Sequence, residues 1–155
     1  MTDEEVETPL VEEVHARGHE HVTAAHPSTF EFTTDDWLTP AGDCILGIDA
    51  DRTPREFDPA FREACRDSGS TITATITAGL ATDGESPSTT ITGRGDPELT
   101  LLDDRSMVGR TSEYTDDERT ILVDADAAAA DLDRELVEAL ADPDASVTLE
   151  LEVDT

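Results

Sequence analysis

Apolar and polar positions along this chain alternate with two different periods, two for strands and about 3.6 for helices. Residues 70–78 alternate strictly, with Ile72, Ala74, Ile76 and Ala78 on one side and threonines on the other. That pattern predicts a strand with one buried face. Residues 145–153 alternate in the same way, with Val147, Leu149, Leu151 and Val153 as the apolar set. Cys44-Ile-Leu-Gly-Ile is a continuous apolar run, which predicts a strand covered on both faces. Val22-Thr-Ala-Ala and Thr29-Phe-Glu-Phe-Thr read as two further short strands. Asp58-Pro59 carries a helix start, with Asp as the cap and Pro at the first helical position. Phe57, Phe61, Ala64 and Cys65 then share one helical face, so a helix is expected over 58–67 and Gly69 is expected to stop it. A second helix is expected over 133–141.

The second half of the chain repeats this order. With a shift of 75 residues, Ile48-Asp49-Ala50-Asp51 falls on Val123-Asp124-Ala125-Asp126, and the two alternating strands fall in register. Earlier in each half the shift is 77, which puts Arg17-Gly18 on Arg94-Gly95. The expected architecture is mainly β with two helices, an α+β protein. Two duplicated β-β-β-α-β units, 14–78 and 91–153, form one pseudo-two-fold β-sandwich or barrel and a linker spans 79–90. The competing explanation is that two β-α-β stretches look alike because the same physics shapes both. Residues 1–13, acidic and carrying one Pro, are expected to be a flexible arm outside the single domain 14–153.

Composition changes how the charge is read. The chain has 38 acidic residues against ten basic ones, a net charge of -28. All ten basic residues are Arg, and Lys, Asn and Gln are absent. At low ionic strength such a charge repels itself and opposes compaction. At molar salt the Debye length is about 3 Å, which screens all but near neighbours. A halophilic protein is therefore expected. Leu, Ile, Val and Phe number 32 of 155, close to the composition of disordered chains, but the periodicity argues for a fold with a modest core. Two cysteines in a cytoplasmic setting do not suggest a disulfide. The acidic N-terminus does not resemble a signal peptide, and no apolar run is long enough for a membrane helix, so a cytoplasmic location is expected.

The charge pattern also has one break. Residues 14–34 hold only Glu20 and Glu31 as acids, and all four histidines, His15, His19, His21 and His26, lie there with Arg17. Histidine is a ready acid–base group and a common metal ligand. His19, His26 and Glu31 are the candidate set for a divalent metal, in a two-histidine, one-carboxylate arrangement. No metal-binding spacing on a helix accompanies them. His19, His26, Glu31 and Asp43 are the candidate catalytic residues, and Arg17, Thr29, Asp96 and Asp103 the candidate ligand contacts. The repeat aligns His19, His21 and His26 with Asp96, Glu98 and Asp103, so His19, His26, Asp96 and Asp103 are expected to frame one asymmetric cleft. The plainer reading is histidines that hold loops and strands through backbone hydrogen bonds. Cys44 lies in step with Leu46 and Ile48, which puts it in the core, with a Cys–His nucleophile as the competing reading. Cys65 is expected in the core. Asp49 and Asp51, present in both halves, are expected to hold the strand-to-helix turn. Gly93-Arg-Gly-Asp lacks the Lys and following helix of a phosphate loop.

Two longer motifs carry a resemblance. Arg17-Gly18-His19-x-x-Val22-x-Ala24-x-His26-x-x-Thr29-Phe30-Glu31 is followed by Leu38-Thr39-x-x-Gly42-Asp43-Cys44-Ile45-x-Gly47-x-x-Ala50-Asp51. Together with Gly95-Asp96-x-x-Leu99-Thr100-Leu101 and Ser106-Met107-Val108, they resemble the archaeal family called domain of unknown function 371, over about residues 14–153. The chain departs from the family pattern at His21, where Asn is usual, at Ser28, where a second Thr is usual, and at Gly109. The resemblance implies a largely β fold and supplies no activity.

Three functions are expected to compete, the plainest being a structural adaptor whose histidine patch is a hydrated loop. The second is binding of, or action on, a small anionic ligand at a His/acid cleft, with or without a metal. The third is association with RNA or a ribonucleoprotein without catalysis. The acidic charge does not exclude RNA in concentrated salt, where counterion release contributes little. The salt reading predicts a melting temperature that rises steadily with KCl, measured by circular dichroism. A melt independent of KCl overturns it.

Overall fold

The computed structural model describes residues 10–39, 41–79, 86–115 and 118–154. Among them are eight strands and two helices: β1 (Leu10–Arg17), β2 (Thr29–Thr33), β3 (Ile45–Gly47), α1 (Pro59–Cys65), β4 (Thr71–Gly79), β5 (Ser88–Arg94), β6 (Ser106–Arg110), β7 (Thr120–Leu122), α2 (Arg134–Leu140) and β8 (Ser146–Asp154). The strands form two four-stranded sheets, in the orders β1-β8-β4-β5 and β3-β2-β6-β7. The fold is mainly β with two helices, as the pattern predicts. Neither sheet closes, so the barrel alternative is overturned. The two sheets touch through single bridges, Arg17 to Ile48 and Arg94 to Val123.

The first sheet is antiparallel throughout. Its centre is the long ladder of β4 against β8, with Ile72 opposite Val153, Ala74 opposite Leu151 and Ile76 opposite Leu149. All six side chains are buried, because period-two alternation sends each to the same side. In the second sheet β2 and β6 are antiparallel, with Glu31 opposite Val108, while β3 and β7 add in parallel at the edges. Phe30, Phe32 and Met107 point inward and join the first sheet and both helices in one apolar cluster.

Both helices are one residue shorter at the start and one or two shorter at the end than the pattern suggests. Asp58 caps α1 by accepting from Ala60 N at 2.9 Å, and Pro59 opens it. The helix ends at Cys65, ahead of Gly69, because Asp67 starts a new turn: its side chain accepts from Gly69 N and its carbonyl from Ser70 N. Seven-residue helices have little stability of their own. They hold through burial of Phe61 and Cys65 in α1, and of Leu136, Val137 and Leu140 in α2.

Three sequence expectations change. The strand expected at Val22-Thr-Ala-Ala is absent: Val22 N bonds to His19 O, and Ala24 takes a left-handed φ of 49°. The arm expected over 1–13 ends at least four residues early, since β1 begins at Leu10; residues 1–9 lie outside the described residues. The buried side of β1 includes Glu12, whose carboxylate meets Arg52 Nη1 at 2.5 Å and accepts from Asp58 N at 2.7 Å. An acid satisfied in this way is what an acidic stretch hides from pattern reading. The linker expected over 79–90 shrinks, because β4 runs to Gly79 and β5 starts at Ser88; residues 80–85 lie outside the described residues. No helix among the described residues is long and apolar enough to cross a membrane.

Phe30 owes its place to the glycine opposite it. Phe30 and Gly109 are cross-strand partners, and a Cβ on Gly109 would lie 2.3 Å from the ring. Gly109→Ala should therefore force Phe30 out of its packing and cost about 1–3 kcal/mol in urea denaturation. An unchanged midpoint would show that the ring is free to yield.

Candidate functional site

The second sheet has a polar outer face. Along β2, Phe30 and Phe32 point into the core, so Thr29, Glu31 and Thr33 point away from it. Their partners on β6 are Arg110, Val108 and Ser106. Glu31, Thr33, Asp35, Ile45, Asp103, Arg105, Ser106 and Arg119 line a hollow of about 350 Å³ on this face.

Glu31 is on its wall, with its side chain only 13 % exposed. One carboxylate oxygen, Oε1, accepts from the thiol of Cys44 at 3.2 Å. The other, Oε2, lies 3.7 Å from Arg119 Nη1. That is an ion-pair distance but too long for a direct hydrogen bond. Arg105 grips Asp35 with two parallel contacts, Nε to Oδ1 at 3.1 Å and Nη2 to Oδ2 at 2.8 Å. Asp103 Oδ2 accepts from the backbone of Arg105 at 3.0 Å and of Ser106 at 2.8 Å, which fixes the entry into β6. Beyond Val108, Arg110 Nε donates to Thr120 Oγ1 at 2.8 Å and its guanidinium lies 4.7 Å from the ring centre of Tyr114.

Cys44 is half-buried and belongs to this site, which corrects its expected place in the core. Burial first, and then the charge of Glu31, push its thiol up to about 12. It is therefore a protonated donor near neutral pH, and the Cys–His nucleophile reading fails, because the thiolate is the attacking form. Cys65 is fully buried as expected, and burial pushes it to about 12 as well.

Two of the four histidines, His19 and His26, prove to be turn caps. His19 Nδ1 accepts from His21 N at 3.0 Å. His26 Nδ1 accepts from Ser28 N and Thr29 N, each at 3.2 Å, and meets Thr29 Oγ1 at 3.0 Å. The aligned acids do the same work: Asp96 Oδ1 accepts from Glu98 N at 2.9 Å, and Asp103 Oδ2 from the two amides named above. An imidazole Nδ1 and a carboxylate Oδ stand equally far from Cα, so either can accept a backbone N–H two residues on. This accounts for His19 and His26 where the alignment puts Asp96 and Asp103, without a shared cleft.

The shared cleft is overturned by strand register. Arg17 lies opposite Ser146, at the start of β8, whereas Arg94 lies across β4 from Asp154, at the end of β8. At 3.3 Å per residue those ends are about 26 Å apart, and β1 and β5 are opposite edges of the sheet. His19 accordingly packs at the end of α2, where its N–H meets Leu140 O, and Asp96 at the end of α1, where its N–H meets Cys65 O.

The other expected residues divide. Glu31 and Asp103 line the hollow, and Thr29 links His26 to the neighbourhood of Cys44. Asp43 contributes its carbonyl, which accepts from Ala25 N and His26 N. Arg17, expected as an anion contact, donates to Asp49 Oδ2 at 2.6 Å. Asp49 and Asp51 hold their turn as expected, Asp51 by accepting from His15 N at 2.9 Å. The metal set His19, His26 and Glu31 is not assembled: among the described residues no three His, Cys, Asp or Glu side chains converge as metal ligands. Asp35, Arg105 and Arg119 were missed, because in a chain this acidic their sequence neighbours give no signal. The signal available was the clustering of Arg105, Arg110 and Arg119, three of the ten basic residues.

A family model described as "Domain of unknown function (DUF371)" matches residues 14–154, in keeping with the resemblance read from the motifs. A relative called "Uncharacterized protein MJ0206", from the archaeon Methanocaldococcus jannaschii, is 37% identical over 127 residues, covering 82% of this chain and 88% of the relative.

The cap reading makes a direct prediction. His26→Ala removes the acceptor for two amides and should cost about 1–2 kcal/mol in chemical denaturation. His26→Asp, which copies Asp103, should recover most of that loss. Equal losses in both variants would count against the cap.

Proposed function

We propose that this chain, which belongs to the DUF371 family, binds a small anionic molecule in the hollow on the outer face of the second sheet. The observation that carries the reading is the pairing of a 350 Å³ hollow with Arg105 and Arg119 on its wall, in a chain where acids outnumber basic residues 38 to 10. A hollow of this size is at the lower end for small-molecule sites. Arg119 supplies a guanidinium for a carboxylate or phosphate, Arg105 adds positive charge while its Nε and Nη2 hold Asp35, and Thr33 and Ser106 add hydroxyls. The histidines serve the scaffold and not the chemistry in this reading, and no metal is invoked.

We also infer that the two sheets are the layers of one sandwich built from duplicated units. The support is the recurrence of unusual contacts at the two sequence shifts. Arg17–Asp49 at 2.6 Å recurs as Arg94–Asp124 at 2.6 Å. The left-handed residues Ala24 and Asp49 recur as Leu101 and Asp124. Under the same shifts Glu31 corresponds to Val108, its direct cross-strand partner, so the pseudo-axis passes beside Glu31. Cys44 corresponds to Arg119, and these two flank the one carboxylate from opposite sides.

Calorimetric titration with inorganic phosphate tests the binding reading. Saturable binding is expected, weakened about tenfold in Arg119→Gln, since a charge-assisted hydrogen bond contributes about 1.5–3 kcal/mol. A short single-stranded oligouridylate run beside it tests the RNA reading. Tight RNA binding that survives Arg119→Gln, with no phosphate binding, would replace this proposal.

A further inference from the structure

The hollow has a more particular demand than a positive charge. Asp35 gives both its oxygens to Arg105, and Asp103 Oδ2 is taken by two amides. Glu31 Oε1 is taken by the Cys44 thiol, which burial and Glu31 itself keep protonated. Glu31 Oε2 is different. It lies at 3.7 Å from Arg119 and accepts no hydrogen bond within the described residues, on a side chain largely withdrawn from water. That oxygen opens on the hollow, where a ligand hydroxyl can replace water and donate to it in a partly shielded setting.

The neighbour of that oxygen restricts the donor. A bare anion at Arg119 comes close to Glu31 and is repelled by it. A ligand cation at Glu31 comes close to Arg119 and is repelled in turn. A neutral hydroxyl beside an anionic group suits both. Resting on the binding reading above, we propose that the ligand is a hydroxylated anion, such as a hydroxy acid or a sugar phosphate. Its charge lies on Arg119 and one hydroxyl donates to Glu31 Oε2. Glu31 is then the residue that tells a hydroxylated anion from a plain one. Cys44 is its positioning residue, holding Oε1 so that Oε2 turns toward Arg119. Thr33 and Ser106, both buried and both on the wall, can each donate or accept toward further hydroxyls.

The test is calorimetry on the full chain at one KCl concentration with four probes: glycerol 3-phosphate, inorganic phosphate, glycerol and O-phosphoethanolamine. Glycerol 3-phosphate should bind about tenfold more tightly than phosphate, and glycerol alone should not bind measurably. Glu31→Met should bring the two phosphates within about twofold of each other without weakening inorganic phosphate. Glu31→Gln, which keeps shape and one acceptor, should give an intermediate preference and guards against a folding defect in the first variant. Cys44→Ala should reduce the preference, and Cys44→Ser, whose hydroxyl can still donate, should restore it. Equal binding of phosphate and glycerol 3-phosphate by the unaltered chain overturns this inference and leaves the anion site standing. Tighter binding of O-phosphoethanolamine overturns it in favour of a cation at Glu31. Silence of all phosphate probes overturns both the inference and the reading on which it rests.

Discussion

The ladder between β4 and β8 is the contact on which the rest of the structure depends. Nine residues at 71–79 pair with nine at 146–154, and each strand carries a second neighbour on its far side. The segments are distant in sequence, so the chain must close a long loop before the ladder forms. Closing it costs entropy that only the buried row of Ile, Leu, Val and Ala offsets. Once formed, it fixes where β1 and β5 lie, and with them the two Arg–Gly turns at diagonal corners. Each turn meets the end of one helix, through His19 N to Leu140 O on one side and Asp96 N to Cys65 O on the other.

The second sheet is held against this frame by its phenylalanines, and its outer face is what remains for chemistry. All four phenylalanines are buried, whereas the single Trp and single Tyr are about half exposed. The outer face collects hydroxyls, three arginines and a central carboxylate. The pairs within it are of unequal strength. Arg105 and Asp35 meet bidentately, but Arg105 is well exposed, so solvent screens that pair. Glu31 is better shielded and less well paired, which is why the proposed ligand is placed beside it.

Charge has a smaller part in the fold than its quantity suggests. Most acids lie at the surface, and the few that are engaged act locally. Asp58 caps a helix, Asp103 and Asp96 cap turns, Asp49 and Asp124 bind arginines, and Glu12 joins Arg52 inside. The histidine-rich window is acid-poor partly because two of its histidines take the place of such caps. A compositional break of this kind reads as a site from the sequence, whereas His19 and His26 accept turn amides as Asp96 and Asp103 do.

Strict alternation at 70–78 and 145–153 fixed two strands to within one residue, because period two is a local property of an extended chain. The Asp58-Pro59 start fixed α1 for the same reason: a cap acts across a few bonds. Glu12 was beyond the sequence, because its burial depends on Arg52 and the start of α1 arriving from elsewhere. So was the role of Cys44, since its period matched Leu46 and Ile48 while its thiol was claimed by a strand thirteen residues away. Glu31 was legible as a candidate, but its partners were not. Arg119 reaches it only because β7 joins β6 in parallel and β6 pairs with β2, and no local pattern encodes such a pairing. Local periodicity and capping gave the two long alternating strands and both helices; the cross-strand register decided which charges share one hollow and which lie at opposite ends of the molecule.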